Sequence, residues 1–85
     1  MIEVQLTVKD PKGIHARPAG KIVAALQDYE SFVTVWKGEQ SYDVKKLLSF
    51  MGSELKFGDT VVVRVEGKDE AECAETVKKA FEENL

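Results

Sequence analysis

The stretch "TVVVRVEGKDEAECAETVKKAFEEN", residues 60–84, changes its hydrophobic period half-way along, and that change decides the fold class. From Thr60 to Glu66 the side chains alternate, with Val61, Val63 and Val65 opposed to Val62 and Arg64. A period of two is that of a strand with one buried face. Gly67 to Asp69 breaks the run. Over 70–84, Ala71, Ala74, Val77 and Phe81 recur at three-and-four spacing with Ala80 beside them, the stripe of an amphipathic helix. A strand with one apolar face followed by a helix with one apolar stripe implies two layers packed on each other.

The rest of the chain repeats these two periods. Residues 2–8 alternate, with Ile2, Val4, Leu6 and Val8 on one face and Glu3, Gln5 and Thr7 on the other. Asp10, Pro11, Lys12 and Gly13 form a turn cluster. From Ala16 to about Gln27 the spacing of Ala19, Ile22, Val23 and Leu26 predicts a helix. Ser31 to Trp36 alternates again, Lys37, Gly38 and Glu39 suit a hairpin turn, and Gln40 to Val44 returns as a short strand. Leu47 to Met51 is too short to classify by period, although a helix there would share Leu47, Leu48 and Met51 on one face. The predicted order is therefore β-α-β-β-α-β-α. Strands that bury one face predict an α+β fold of the α/β class, an open-faced β-sandwich. Its four-stranded, mainly antiparallel sheet carries the helices on one face, and Glu3, Gln5 and Thr7 face water on the other.

The bulk composition narrows the function. Residues 1–85 are expected to form a single domain. A net charge of −3 and a pI of about 5.1 disfavour nucleic acid and anionic membrane as partners. The single cysteine, Cys73, permits no internal disulfide and reads as a small core residue. The opening residues, MIEVQLTVKD, lack the apolar run of a signal peptide, and no stretch is long and apolar enough to span a membrane. A cytoplasmic protein without membrane insertion is expected, and nothing demands more than a monomer. With one histidine and no convergent carboxylate set, no metal site is expected, and without a glycine-rich phosphate loop no nucleotide cofactor either.

That one histidine lies in "PKGIHARPAG", residues 11–20. If Ala16 is the first helical residue, His15 is the N-cap, where Ser, Thr, Asp or Asn is the usual choice. The imidazole Nδ1 then lies about where an asparagine oxygen would, in position to accept from the helix amides. The positive end of the helix dipole disfavours the imidazolium, so His15 is expected to be neutral and nucleophilic near pH 7. An anion attached to Nδ1 would meet the amides of Ala16 and Arg17 and the Arg17 guanidinium, and a helix start with an arginine suits phosphate. Pro18 removes one otherwise unpartnered amide from the first turn. Taken singly, each of these residues is equally at home as cap, solvated charge or turn punctuation.

Together, Gly13, Ile14, His15, Ala16, Arg17, Pro18 and Ala19 resemble the active-site segment of the HPr family. Its members are the histidine-containing phosphocarriers of the bacterial phosphoenolpyruvate-dependent sugar phosphotransferase system. The resemblance extends along the whole chain in length and element order. It implies that enzyme I phosphorylates His15 on Nδ1 and that the phosphoryl group passes to IIA components for sugar uptake. It further implies that Ala16 and Arg17 hold the phosphoryl group, and that an apolar patch of Leu47, Leu48 and Met51 docks partners. Gly20, which costs roughly 1 kcal/mol against alanine inside a helix, either lets a partner approach closely or is merely tolerated there. Such a protein forms a phosphohistidine but turns over no small substrate alone, a carrier rather than a stand-alone enzyme.

The chain departs from the family at one regulatory position. Where relatives carry a kinase-regulated serine at the start of the short helix, this chain has Lys46. Ser49 and Ser53 lie nearby without fitting that site, so no regulatory serine is expected. Lys12, where the family often has a small polar residue, reads equally as added positive potential near His15 or as a solvated turn lysine. The alternative reading is an HPr-like paralogue serving a regulatory phosphorelay, or a partner-binding module, without serine-kinase control.

Overall fold

The computed structural model describes residues 1–85. Its elements are β1 (Ile2–Thr7), α1 (Ala16–Leu26), β2 (Phe32–Lys37), β3 (Gln40–Asp43), α2 (Leu47–Met51), β4 (Thr60–Glu66) and α3 (Glu70–Asn84). The expected order is the observed one. The four strands form one sheet in the order β1-β4-β2-β3, and every neighbouring pair is antiparallel. The fold is α+β, an open-faced sandwich.

Strand β4 lies inside the sheet, and its period-two pattern explains why. Val61, Val63 and Val65 point into the core, in register with Leu6, Val4 and Ile2 of β1 on one side. Val63 and Val65 face Val35 and Val33 of β2 on the other. β-branched residues suit such a pleated, packed surface. Helix α1 contributes Ala19, Ile22 and Leu26 to the same core, and α3 contributes Cys73, Ala74, Val77, Ala80 and Phe81. The two long helices pack on each other, and α3 also covers β1 and β4. No helix is long and apolar enough to cross a membrane.

One assignment within the elements, at Ala71, differs from the sequence pattern. Ala71 is exposed, whereas Cys73, read as a small core residue, does lie on the buried stripe of α3. At about 100° per residue Ala71 lies some 120° from Val77, whereas Cys73 lies about 40° away. Trp36, the last residue of the alternating stretch that forms β2, lies on the open face beneath a cation. The Arg64 guanidinium sits 4.3 Å from its ring centroid, and the indole N–H donates to Thr34 Oγ1 at 3.0 Å. Arg64 also pairs with Glu3 at 2.6 Å, so a charged and aromatic ladder crosses β1, β4 and β2 on the solvated side.

Three loop contacts set the position of the segment before α1. Gly13 adopts φ 68°, and a Cβ there would collide with the Leu55 carbonyl oxygen. Only glycine meets both demands without strain. The next amide, of Ile14, donates to that same Leu55 oxygen at 2.8 Å, and Gly13 N–H donates to the Asp10 carbonyl at 2.9 Å. The turn that carries His15 is therefore pinned against the segment joining α2 to β4.

Candidate functional site

His15 is the N-cap residue of α1, in extended conformation with φ −148° and ψ 171°. Its backbone carbonyl accepts from Ala19 at 3.1 Å and so starts the helix. Its side chain does not cap. The ring turns to Asp10 instead, with Nε2 at 3.4 Å from Oδ2. An ionised carboxylate is a stronger partner for an imidazole N–H than the helix amides are for its lone pair, which accounts for the difference. The amides of Ala16 and Arg17 consequently have no acceptor within the chain, and Pro18 has none to offer. Two adjacent helix-start amides thus stay free beside a half-exposed imidazole.

Asp10 is a site residue that the sequence pattern treats only as part of a turn. Its Oδ1 accepts from the Lys12 amide at 2.9 Å, an Asx-turn, which leaves Oδ2 for the histidine. The Lys12 amide, and after it the His15 side chain, hold the Asp10 carboxyl below the usual aspartate range. It is therefore an anion at neutral pH. The available signal was an aspartate two residues before a backbone amide in a Pro-Lys-Gly turn, five residues from the only histidine.

Lys12 and Arg17 are both exposed, on either side of His15 in the chain. The structure thus places two cations, two free amides and one imidazole within six residues, on a turn fixed by Gly13. Chemically this suits an anion held at the end of a helix, with a nucleophilic nitrogen beside it.

The short helix α2 packs against α1. Leu48 is 87% exposed and Leu47 40%, whereas Met51 is half-buried against the core. Phe50, not among the residues singled out by pattern, is fully buried and packs against Phe81, with ring centroids 5.9 Å apart. Phe57, at 65% exposure in the segment that pins Gly13, is another exposed apolar residue that the pattern missed. At Gly20 an added Cβ would meet nothing within 4 Å, so the surface of α1 is open there. Lys46 is the N-cap of α2 and makes no side-chain cap bond. Ser49 Oγ accepts from the Asp43 amide at 2.9 Å, and buried Ser53 donates to the Phe50 carbonyl at 2.6 Å. The Ser53 hydroxyl is buried and donates, whereas Ser49 Oγ only accepts. No cluster of three or more histidine, cysteine, aspartate or glutamate side chains converges as a metal site would.

Comparison with known proteins is consistent in fold and in sequence. The family model described as the PTS HPr component phosphorylation site matches residues 2–83. The chain is 41% identical over 73 residues to the phosphocarrier protein HPr of Lysinibacillus sphaericus, covering 86% of this chain and 83% of that one. It is 32% identical over 85 residues to the HPr of Mycoplasma pneumoniae, covering 99% of this chain and 97% of that one. Among solved structures, HPr of Thermoanaerobacter tengcongensis superposes with a TM-score of 0.91 at 28% identity, over 99% of this chain and 94% of that one.

Proposed function

The chain belongs to the HPr family of phosphotransferase-system phosphocarriers, and from that premise we propose that His15 receives the phosphoryl group on Nδ1 and gives it away again. The observation that carries this reading is the pair of unpartnered amides, Ala16 and Arg17, at the start of the helix that His15 begins. A phosphoryl group on the ring meets those amides, the positive end of α1 and the Arg17 guanidinium. Helix-end charge effects are worth about 0.3–1 kcal/mol each, up to about 2 in sheltered sites. That is enough to orient the group and too little to trap it, which suits a carrier that must release what it accepts.

The donor in this reading is enzyme I, charged from phosphoenolpyruvate, and the acceptors are IIA components of sugar permeases, in the cytoplasm. Leu47, Leu48 and the partly covered Met51 form the apolar part of the docking surface, with Gly20 allowing close approach on α1. Exposed leucines beside a charged site supply the desolvated anchors that transient partners need. One core serves the sheet and both long helices, which supports reading residues 1–85 as one phosphocarrier domain. Serine-kinase control at the start of α2 has no place in this reading, because Lys46, at the N-cap of that helix, carries no hydroxyl.

Intact-mass spectrometry after incubation with phosphoenolpyruvate, magnesium and a purified enzyme I tests the proposal. One acid-labile phosphoryl group is expected on the native chain and none on His15→Ala. A chain that takes no phosphoryl group from several enzyme I proteins would instead be a dedicated relay or binding module with another donor.

A further inference from the structure

We infer that Asp10 is a positioning residue for His15, its carboxylate holding the imidazole in the tautomer whose Nδ1 keeps a free lone pair. Three contacts fix Asp10 itself. Its carbonyl accepts from Gly13 at 2.9 Å, its Oδ1 accepts from Lys12 at 2.9 Å, and its amide donates to the Leu85 backbone oxygen at 2.7 Å. Only Oδ2 remains, and it faces His15 Nε2 at 3.4 Å. An ionised carboxylate only accepts hydrogen bonds, so the ring nitrogen that meets it must carry the proton. A neutral imidazole has one N–H, and with that proton on Nε2 the lone pair belongs to Nδ1. The side-chain exposures of 39% for His15 and 26% for Asp10 leave the ring reachable while partly shielding the pair.

The consequence for transfer rests on the reading of His15 as the phosphoryl acceptor. As the Nδ1–P bond forms, the donor's bond to phosphorus breaks and its electron pair leaves with the donor. The Nε2 proton stays in place throughout, so the phosphorylated ring is a cation whose charge faces the Asp10 carboxylate. On transfer onward the N–P electron pair returns to Nδ1, and the starting tautomer is restored without any proton having moved. Carboxylates that orient metal-ligating histidines fix tautomer and ring direction, and their loss costs about 10- to 100-fold in metal affinity or activity; an effect of the lower order is expected for His15.

The test compares the native chain with Asp10→Asn, which can keep the turn through its own side-chain oxygen, and with Asp10→Ala, which cannot. Ring-nitrogen NMR of the unphosphorylated protein reads the tautomer directly, with the amide spectrum outside residues 9–17 as the check on folding. Native protein is expected to show one tautomer with the proton on Nε2, and both variants a mixture. Rates of phosphoryl acceptance and of onward transfer are expected to fall about tenfold in Asp10→Asn. Native-like ring signals and native rates in that variant would overturn the assignment. The ring signals need no phosphoryl donor, so a failure of the carrier reading would show as a native chain that accepts no phosphoryl group while its tautomer still answers to Asp10.

Discussion

At the scale of single residues, Gly13 fixes the backbone on which the site is built. Its positive φ and its contact with the Leu55 carbonyl fix the turn from which His15 projects. Gly13→Ala is expected to destabilise the chain by about 2 kcal/mol, the range for a strained φ combined with a steric conflict. Urea denaturation checks this, and a native midpoint would show that the turn is not held as described. Asp69 plays a comparable part on the far side of the molecule. Its carboxylate accepts from the Ser31 hydroxyl and amide and from the Glu30 amide, tying the start of β2 to the start of α3. The Ser31 hydroxyl first, and then the Glu30 amide, hold the Asp69 carboxyl below the usual aspartate range. A carboxyl depressed in the folded state stabilises fully above its unfolded pKa, about 3.9, and loses that contribution as pH falls through the lower folded value. Asp69→Asn is therefore expected to lower stability at neutral pH and to flatten the loss of stability below about pH 4. Asp10, Asp59 and Glu70 are depressed as well, so some acid sensitivity should survive in the variant. An acid limb identical to the native one would contradict the role given to Asp69.

The elements differ in how openly the sequence announces them. Strand β4 and helix α3 are legible because seven and fifteen residues give a period room to repeat. Helix α2 has five residues, fewer than two turns, so its faces are not defined by spacing. That is why Leu47, Leu48 and Met51 look like one apolar face while Phe50, the residue that anchors the helix, goes unnoticed. Burial separates the two classes sharply. Phe50→Ala is expected to cost about 3–5 kcal/mol, the usual range for a fully buried aromatic. Leu48→Ala, at 87% exposure, should stay within about 0.5 kcal/mol of native stability. Under the proposed function Leu48→Ala should nevertheless slow phosphoryl exchange with partners. Thermal denaturation beside a transfer assay separates these effects, and a large loss of stability in Leu48→Ala would place it in the core instead.

At the scale of the whole molecule the class of fold is legible and the order of the strands is not. Alternation tells which side chains share a face, but it does not tell which strand lies beside which. The hairpin of β2 and β3 follows from the short turn between them, whereas β4 inserts between β1 and β2 from more than fifty residues beyond β1. That pairing depends on packing among distant valines, which no local pattern records. The site shows the same division. His15, Ala16 and Arg17 lie within three consecutive positions and are visible in the sequence, whereas the aim of the imidazole at Asp10 depends on how the turn folds back. The solvated face of Glu3, Gln5 and Thr7 is legible, whereas the contacts across it, Arg64 stacked on Trp36 and paired to Glu3, join three strands that are distant in the chain.

The central claim is that the start of α1 receives a phosphoryl group on His15, and NMR of the phosphorylated protein addresses it most directly. Spectra recorded before and after phosphorylation should show phosphorus coupled to Nδ1 of His15. The largest amide shifts should fall at Ala16 and Arg17, whose N–H groups gain an anionic acceptor. Phosphorus on Nε2 or on any other residue, or Ala16 and Arg17 amides that do not move, would contradict the account.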